Sequence, residues 1–196
     1  MSTPADSQPL VAVLAAGRAS RFGGGKLDED CADKPVGQWV LDAVVAAGLE
    51  PSLIVVGPEA PQFAREAAGW RLLTNPAPQD GLGGSVAIAA REAERQSRAL
   101  LVVLADMPLV APEHLRRLTQ CGTSAASSYP DGRTGVPACI AAQDVGKAAR
   151  LDGDSGAGPM LAGLASLEVV EPDPGTLLDV DTPEDLERIS AILAAR

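Results

Sequence analysis

Arg18, Arg21 and Lys26 put three cations within nine residues of a chain whose formal net charge is −10, and Gly17, Gly23, Gly24 and Gly25 stand among them. Glycine lets backbone come close to a ligand and adopt positive φ, so that amide N–H groups can face phosphate oxygens. With cations beside those amides, such a loop can hold a triphosphate. The segment Gly17-Arg18-Ala19-Ser20-Arg21-Phe22-Gly23 fits neither G-x-G-x-x-G nor G-x-x-x-x-G-K-[ST], which disfavours the dinucleotide-binding and P-loop modes. Glycine and charge alone leave a second reading open, a surface loop with solvated cations.

Carboxylates supply the complementary chemistry. A bound triphosphate carries enough negative charge to call for a divalent cation, and magnesium takes one or two carboxylates together with phosphate oxygens and water. Asp106 directly follows the clearest apolar run in the chain, Ala99 to Leu104, and nothing in its neighbourhood gives it a structural task. Asp179 lies within a second, shorter run, Leu177 to Val180, and Asp181 directly follows it. Asp181 also precedes Thr182, so it can equally serve the dipole of the next helix. Asp154 can touch substrate or cap the helix after it. His114, the sole histidine, reads as a surface residue, and no Ser/His/Asp or Cys/His set can be assembled for covalent catalysis. Cys31, Cys121 and Cys139 are odd in number and widely spaced, which argues against a zinc site or a disulfide framework.

The elements that would position these residues alternate between strand and helix. Leu10 to Leu14, Leu53 to Val56, Trp70 to Leu73, Ala99 to Leu104 and Leu177 to Val180 read as strands. Val36 to Gly48, Pro61 to Ala68, Ser85 to Arg98, Pro112 to Gln120 and a final helix opened by Thr182-Pro183 read as helices. Between Gly122 and Val170 only Ala138 to Ala141 and Leu167 to Val170 read as short strands. Single helices between strands imply right-handed crossovers and a mostly parallel sheet, with ligands beyond the carboxyl ends of the strands. The loops carrying Arg21, Lys26 and Asp106 lie at those ends.

The chain has 196 residues, 46% of them apolar and only 3% aromatic. A core of Ala, Val, Leu and Ile at that length implies one α/β domain over residues 1–196, a three-layer α/β/α arrangement with a Rossmann-like sheet, and a flexible polar N-terminus at 1–8. The acidic balance repels polyanions and excludes nucleic acid or an anionic membrane as the primary partner. The polar start and the lack of a long apolar stretch imply a cytoplasmic protein.

Leu14-Ala15-Ala16-Gly17-Arg18-Ala19-Ser20-Arg21-Phe22-Gly23-Gly24-Gly25-Lys26 resembles the L-A-A-G-x-x-x-R-x-G-x-x-K signature of nucleotidyltransferases at all seven fixed positions. Within them it is similar to the MobA-like group, and within that group to the molybdenum cofactor cytidylyltransferases (MocA-like). Asn75-Pro76 with Gly81 and Ser85 resembles the family's N-P-x-x-x-x-G-x-x-x-S. Ala105-Asp106-Met107-Pro108 resembles its G-D-M-P, Gly153 to Ala157 its G-D-x-G-A, and Asp179 to Leu186 its D-I-D-T-P-E-D-L.

The resemblance implies a fold of the nucleotide-diphospho-sugar transferase type and assigns roles. Leu14, Ala15, Ala16, Gly17 and Arg18 would bind the nucleotide, with the backbone of Ala15 to Gly17 facing base and ribose. Asn75, Gly81 and Ser85 would lie near it. Arg21 and Lys26 would hold the triphosphate, and Asp106 and Asp181 would bind Mg2+. It also implies transfer of CMP, or next GMP, from CTP or GTP to a phosphorylated acceptor, molybdopterin, with hand-over of the cofactor to a molybdoenzyme. A sugar-phosphate nucleotidyltransferase and a non-catalytic nucleotide-binding or cofactor-chaperone module are the alternatives. Three features depart from the family pattern: Val136 replaces the histidine of its G-H-P, Ala105 replaces a glycine, and Asp28, Glu29, Asp30 and Asp33 add negative charge beside the loop.

Overall fold

The computed structural model describes residues 8–17, 22–152 and 156–195. The N-terminal segment up to residue 7, Arg18, Arg21 and Asp154 therefore lie outside the described residues. Seven strands form one sheet: β1 (Leu10–Ala15), β2 (Leu53–Val56), β3 (Arg71–Thr74), β4 (Leu100–Leu104), β5 (Ser124–Ser128), β6 (Thr134–Ile140) and β7 (Leu167–Val170). Their spatial order is β3-β2-β1-β4-β6-β5-β7, and only β6 runs against its neighbours.

The central strands explain the apolar runs. β1 pairs in parallel with β2 on one side and β4 on the other, and all six of its residues are buried. Its alternate side chains serve two cores. Val11, Val13 and Ala15 meet Val36, Val40, Phe63, Leu115, Leu118 and Ile189 from α1 (Val36–Ala46), α2 (Gln62–Glu66), α4 (Pro112–Gln120) and α7 (Pro183–Ala194). Leu10, Ala12 and Leu14 meet Val86, Ala90, Val145 and Leu161 from α3 (Leu82–Arg95), α5 (Ala142–Ala148) and α6 (Gly158–Ala162). This is the expected three-layer α/β/α domain, since a sheet apolar on both faces must be covered on both. Among the described residues no helix is long and apolar enough to cross a membrane.

Four readings of the sequence are corrected. Leu177 to Val180 is not a strand: it forms no ladder among the described residues, and its Val180 amide bonds instead to the Asp106 carbonyl in the loop after β4. Helix α3 begins at Leu82, before Ser85, with Gly81 at its N-cap in a φ of 100° that favours glycine. The stretch after Gly122 contains a hairpin, β5 to β6, turning through Asp131-Gly132, and this hairpin makes β6 antiparallel to β4. His114 is only 1% exposed, with its Nε2 2.7 Å from Ser127 Oγ, so it belongs to the interior between α4 and β5.

Candidate active site

The loops after β1 and β4 meet the segment before α7 at one end of the sheet. Ala105 N–H donates to Leu14 O at 3.0 Å, tying the exit of β4 to β1, and Val180 N–H donates to Asp106 O at 2.9 Å. The second bond draws Asp181 beside Asp106. Thr182 caps α7 through a capping box: its Oγ1 accepts from the Asp185 amide at 3.2 Å, and Asp185 Oδ2 accepts from the Thr182 amide at 3.1 Å. Asp185 thus takes the cap, leaving the Asp181 carboxylate to face Lys26.

Lys26 is 7% exposed, and its Nζ donates to Asp106 Oδ2 at 2.7 Å and to Asp181 Oδ1 at 3.2 Å. Burial pulls the ammonium pKa down, but Asp106 and then Asp181 outweigh it, and the net shift is upward. The lysine is charged and clasped between two carboxylates. The Asp106 Oδ1 atom is buried and accepts no hydrogen bond among the described residues. Asp179 lies close by. Its burial, followed by repulsion from Asp106 and Asp181, pushes its pKa up to about 7. Among the described residues, three acidic side chains here share one ammonium.

A cleft of about 250 Å³ opens beside the clasp. Leu14, Ala15, Ala16 and Gly17 line one side, Gly81, Leu82 and Ser85 the other, and Lys26 and Asp106 lie along it. Eight residues singled out from the sequence thus share one cavity. The first turn of α3 borders it, and the free N–H groups of a helix N-terminus favour an anion there. Asn75 does not line this cleft. It is 3% exposed, its Nδ2 donates to Ser85 Oγ at 3.0 Å, and its Oδ1 accepts from the Ala77 amide at 3.0 Å. Asn75 therefore holds Ser85 in place from behind.

The acidic insertion has a structural explanation. Asp28 Oδ2 and Oδ1 accept from the backbone amides of Gln62 and Phe63, each at 2.8 Å, so this carboxylate caps α2 from a distant loop. Asp30 bridges to Pro35 and accepts from the Asp33 amide at 3.3 Å, closing a tight turn before α1. Asp28 and Asp30 thereby anchor the backbone that carries Lys26.

A second cavity of about 310 Å³ adjoins the first, sharing Leu82 and Leu104, and is bordered by Tyr129, Arg133, Val136, Asp179 and the start of α6. The Tyr129 hydroxyl donates to the Val136 carbonyl. Burial, and after it the nearby Asp179 and Asp106, raise its pKa to about 12. Tyr129 escaped the sequence reading; the Asp131-Gly132 turn, which sets the hairpin carrying it, was the available signal.

The oxygen donors at the clasp fit a hard divalent cation. Asp106 and Asp181 offer carboxylate oxygens, and Asp106 Oδ1 is a buried acceptor still lacking a partner among the described residues. No group of three or more His, Cys, Asp or Glu side chains is placed to hold a metal ion among those residues, so further ligands would come from phosphate or water.

Residues 11–170 match the MobA-like NTP transferase domain. The chain belongs to this family. Among solved structures, Rv0371c from Mycobacterium tuberculosis H37Rv superposes with a TM-score of 0.80 at 28% identity, over 95% of this chain and 99% of that one. The same protein in complex with manganese gives a TM-score of 0.74 at 27% identity, over 94% and 99% of the two chains. A nucleotidyl transferase from Methanothermobacter thermautotroptrophicus, Mth528, shares the fold at 24% identity with a TM-score of 0.80, over 96% and 99%. A bifunctional protein GlmU from Parvibaculum lavamentivorans is 34% identical over 57% of this chain, and that match spans only 26% of the relative's length. For this MobA-like domain, the clasp and the first cavity lie at the carboxyl ends of β1 and β4, as expected of a parallel sheet, and the second cavity lies between the end of β4 and the β5–β6 hairpin.

Proposed function

We propose that the protein is a magnesium-dependent nucleotidyltransferase that moves CMP, or next GMP, from CTP or GTP to a phosphorylated acceptor, molybdopterin, and releases pyrophosphate. The observation that carries this reading is the convergence of Ala15 to Gly17, Gly81, Ser85, Lys26 and Asp106 on one cleft, with Asp181 across the lysine. The manganese complex of Rv0371c supports a divalent metal here.

In this reading the backbone of Ala15 to Gly17 and the first turn of α3 hold base and ribose. A phosphate oxygen of the acceptor attacks the α-phosphorus in line, and the bond from that phosphorus to the bridging oxygen breaks. Pyrophosphate carries the released electron pair away. Asp106 and Asp181 would hold the metal, which would neutralise charge on the triphosphate. Lys26, with Arg21 from the same loop, would stabilise the leaving group, so that catalysis rests on position and charge. The adjoining cavity with Tyr129, Arg133 and Asp179 would take the acceptor. Location in the cytoplasm and hand-over to a molybdoenzyme belong to the same reading.

Val136 on the wall of that cavity lacks the hydrogen-bonding ring of the histidine it replaces, which weakens molybdopterin as the acceptor and leaves a sugar phosphate or a non-catalytic nucleotide-binding module as the second reading. Calorimetric titration with CTP, GTP, ATP and UTP, with and without Mg2+, tests the donor, and pyrophosphate release with molybdopterin against sugar phosphates tests the acceptor. Magnesium-dependent binding of CTP or GTP above the others supports the proposal. Absence of triphosphate binding overturns it.

A further inference from the structure

The two carboxylates assigned above to a divalent cation already hold a cation. Lys26 Nζ sits 2.7 Å from Asp106 Oδ2 and 3.2 Å from Asp181 Oδ1. Magnesium or manganese would need those oxygens at roughly 2.0–2.2 Å. An ammonium hydrogen-bonded to both oxygens fills the space between them, so lysine and metal cannot hold the same pair together. We infer that Lys26 is the resident counter-ion of the metal site, displaced by the divalent cation and received by the triphosphate, so that metal and nucleotide bind as a coupled pair.

The surroundings support an exchange rather than a fixed pair. The backbone on both sides of Lys26 is pinned: Asp28 N–H donates to Gly25 O at 2.9 Å and Gly37 N–H donates to Leu27 O at 3.0 Å. A displacement must therefore come from the side chain. Lys26 lines the cleft, and a buried ammonium that loses its carboxylates needs new oxygens, which a triphosphate in that cleft supplies. Asp106 Oδ1, buried and without a hydrogen bond among the described residues, is a further acceptor that the metal can take up once the lysine has moved. The carboxylates are thus held in place before the metal arrives, and metal alone binds at the cost of stranding the lysine.

This inference rests on the proposed function for the identity of the metal site, and it makes separate demands. Mn2+ binding to the full chain, followed by electron paramagnetic resonance without nucleotide, is expected to tighten by roughly tenfold in Lys26→Met, a typical coupling strength between sites. Equal or weaker Mn2+ binding in that variant overturns the inference. The wild-type protein gives a second readout that needs no variant to fold. It has only three lysines, Lys26, Lys34 and Lys147, so their ammonium 15N resonances can be told apart. The Lys26 signal is expected to shift on addition of MgCl2 alone and to move again when a CTP analogue with a methylene between the α and β phosphorus atoms is added. A Lys26 signal indifferent to Mg2+ overturns the inference. Calorimetry with the same analogue separates the two ideas: no triphosphate binding removes the proposed function, whereas normal binding with unchanged Mn2+ affinity in Lys26→Met removes only the exchange.

Discussion

The Val180 amide donates to the Asp106 carbonyl at 2.9 Å, and this one backbone bond sets how the segment before α7 meets the loop after β4. The next residue, Asp181, is thereby placed across Lys26 from Asp106. The carboxylate pair depends on a main-chain contact rather than on a strand, although Leu177 to Val180 has a strand-like composition.

Asp106→Asn keeps the shape of the clasp but removes a charge from the cation site. Turnover, measured as pyrophosphate release, is expected to fall by about 10²- to 10³-fold, the usual loss on removing one charge-stabilising group from a preorganised site. Nucleotide binding should persist in part, because the Ala15 to Gly17 backbone and the start of α3 are untouched. Turnover equal to wild type would remove Asp106 from the mechanism.

Asp28→Ala takes away both bonds to the first amides of α2. A lost N-cap costs about 1 kcal/mol, so thermal unfolding should show a Tm lower by roughly 2–4 °C. The same variant loosens the support of the Lys26 loop, so triphosphate affinity is expected to fall with it. An unchanged Tm would show that water replaces the carboxylate at no cost.

These residues also show how much a sequence can disclose. Strands β1 and β4 were legible because both faces are covered and every position is apolar, and the start of α7 was legible because Thr182, Pro183 and Asp185 act within one turn. β5 was not, because its sequence Ser124-Ala125-Ala126-Ser127-Ser128 carries small and polar side chains into the interior. Ser124 Oγ donates to Asp144 at 2.8 Å and Ser127 Oγ donates to the Pro137 carbonyl at 2.6 Å, so their partners lie on other elements. Asp28 escaped for the same reason, since the helix it caps begins far along the chain. At the site, the place of Lys26 in the loop after β1 and of Asp106 in the loop after β4 could be read from local order. The role of Asn75 behind Ser85 depends on how α3 packs, which local order does not reveal.

Asn75 and Ser85 should behave as one unit in binding. Asn75→Ala leaves the Ser85 hydroxyl and the Ala77 amide without their partner, and a buried polar group so orphaned costs about 1–3 kcal/mol of stability. If Asn75 acts on the nucleotide only by holding Ser85, triphosphate affinities of Asn75→Ala, Ser85→Ala and the double variant will be strongly non-additive, the double losing little more than the larger single. Losses that simply add would mean that Asn75 touches the nucleotide itself.

His114 gives the protein a defined sensitivity to acid. Ser127 gives its one hydroxyl proton to the Pro137 carbonyl, so its oxygen accepts from His114, and the hydrogen-bond network assigns the neutral ring its proton on Nε2. Nδ1 then faces the Arg117 guanidinium at 3.4 Å. A second proton would enter a buried site against that cation. Burial first, and Arg117 after it, outweigh the distant pull of Asp173 and push the pKa down to about 4. The sign follows from the proton count. Above pH 6.5 the ring is neutral in both folded and unfolded chains, whereas between 6.5 and 4 only the unfolded chain takes the proton. Stability is therefore lost as pH falls through that window, by up to roughly 1.4 kcal/mol per pH unit and on the order of 3 kcal/mol in all. Asp179, with its raised pKa, acts in the opposite direction, so the comparison must be with His114→Gln, whose amide can still donate to Ser127. The stability difference between wild type and this variant, from urea unfolding at several pH values, should shift against the wild type as pH drops from 6.5 toward 4. A difference that stays flat across the window would mean that the folded chain accommodates a charged ring at position 114.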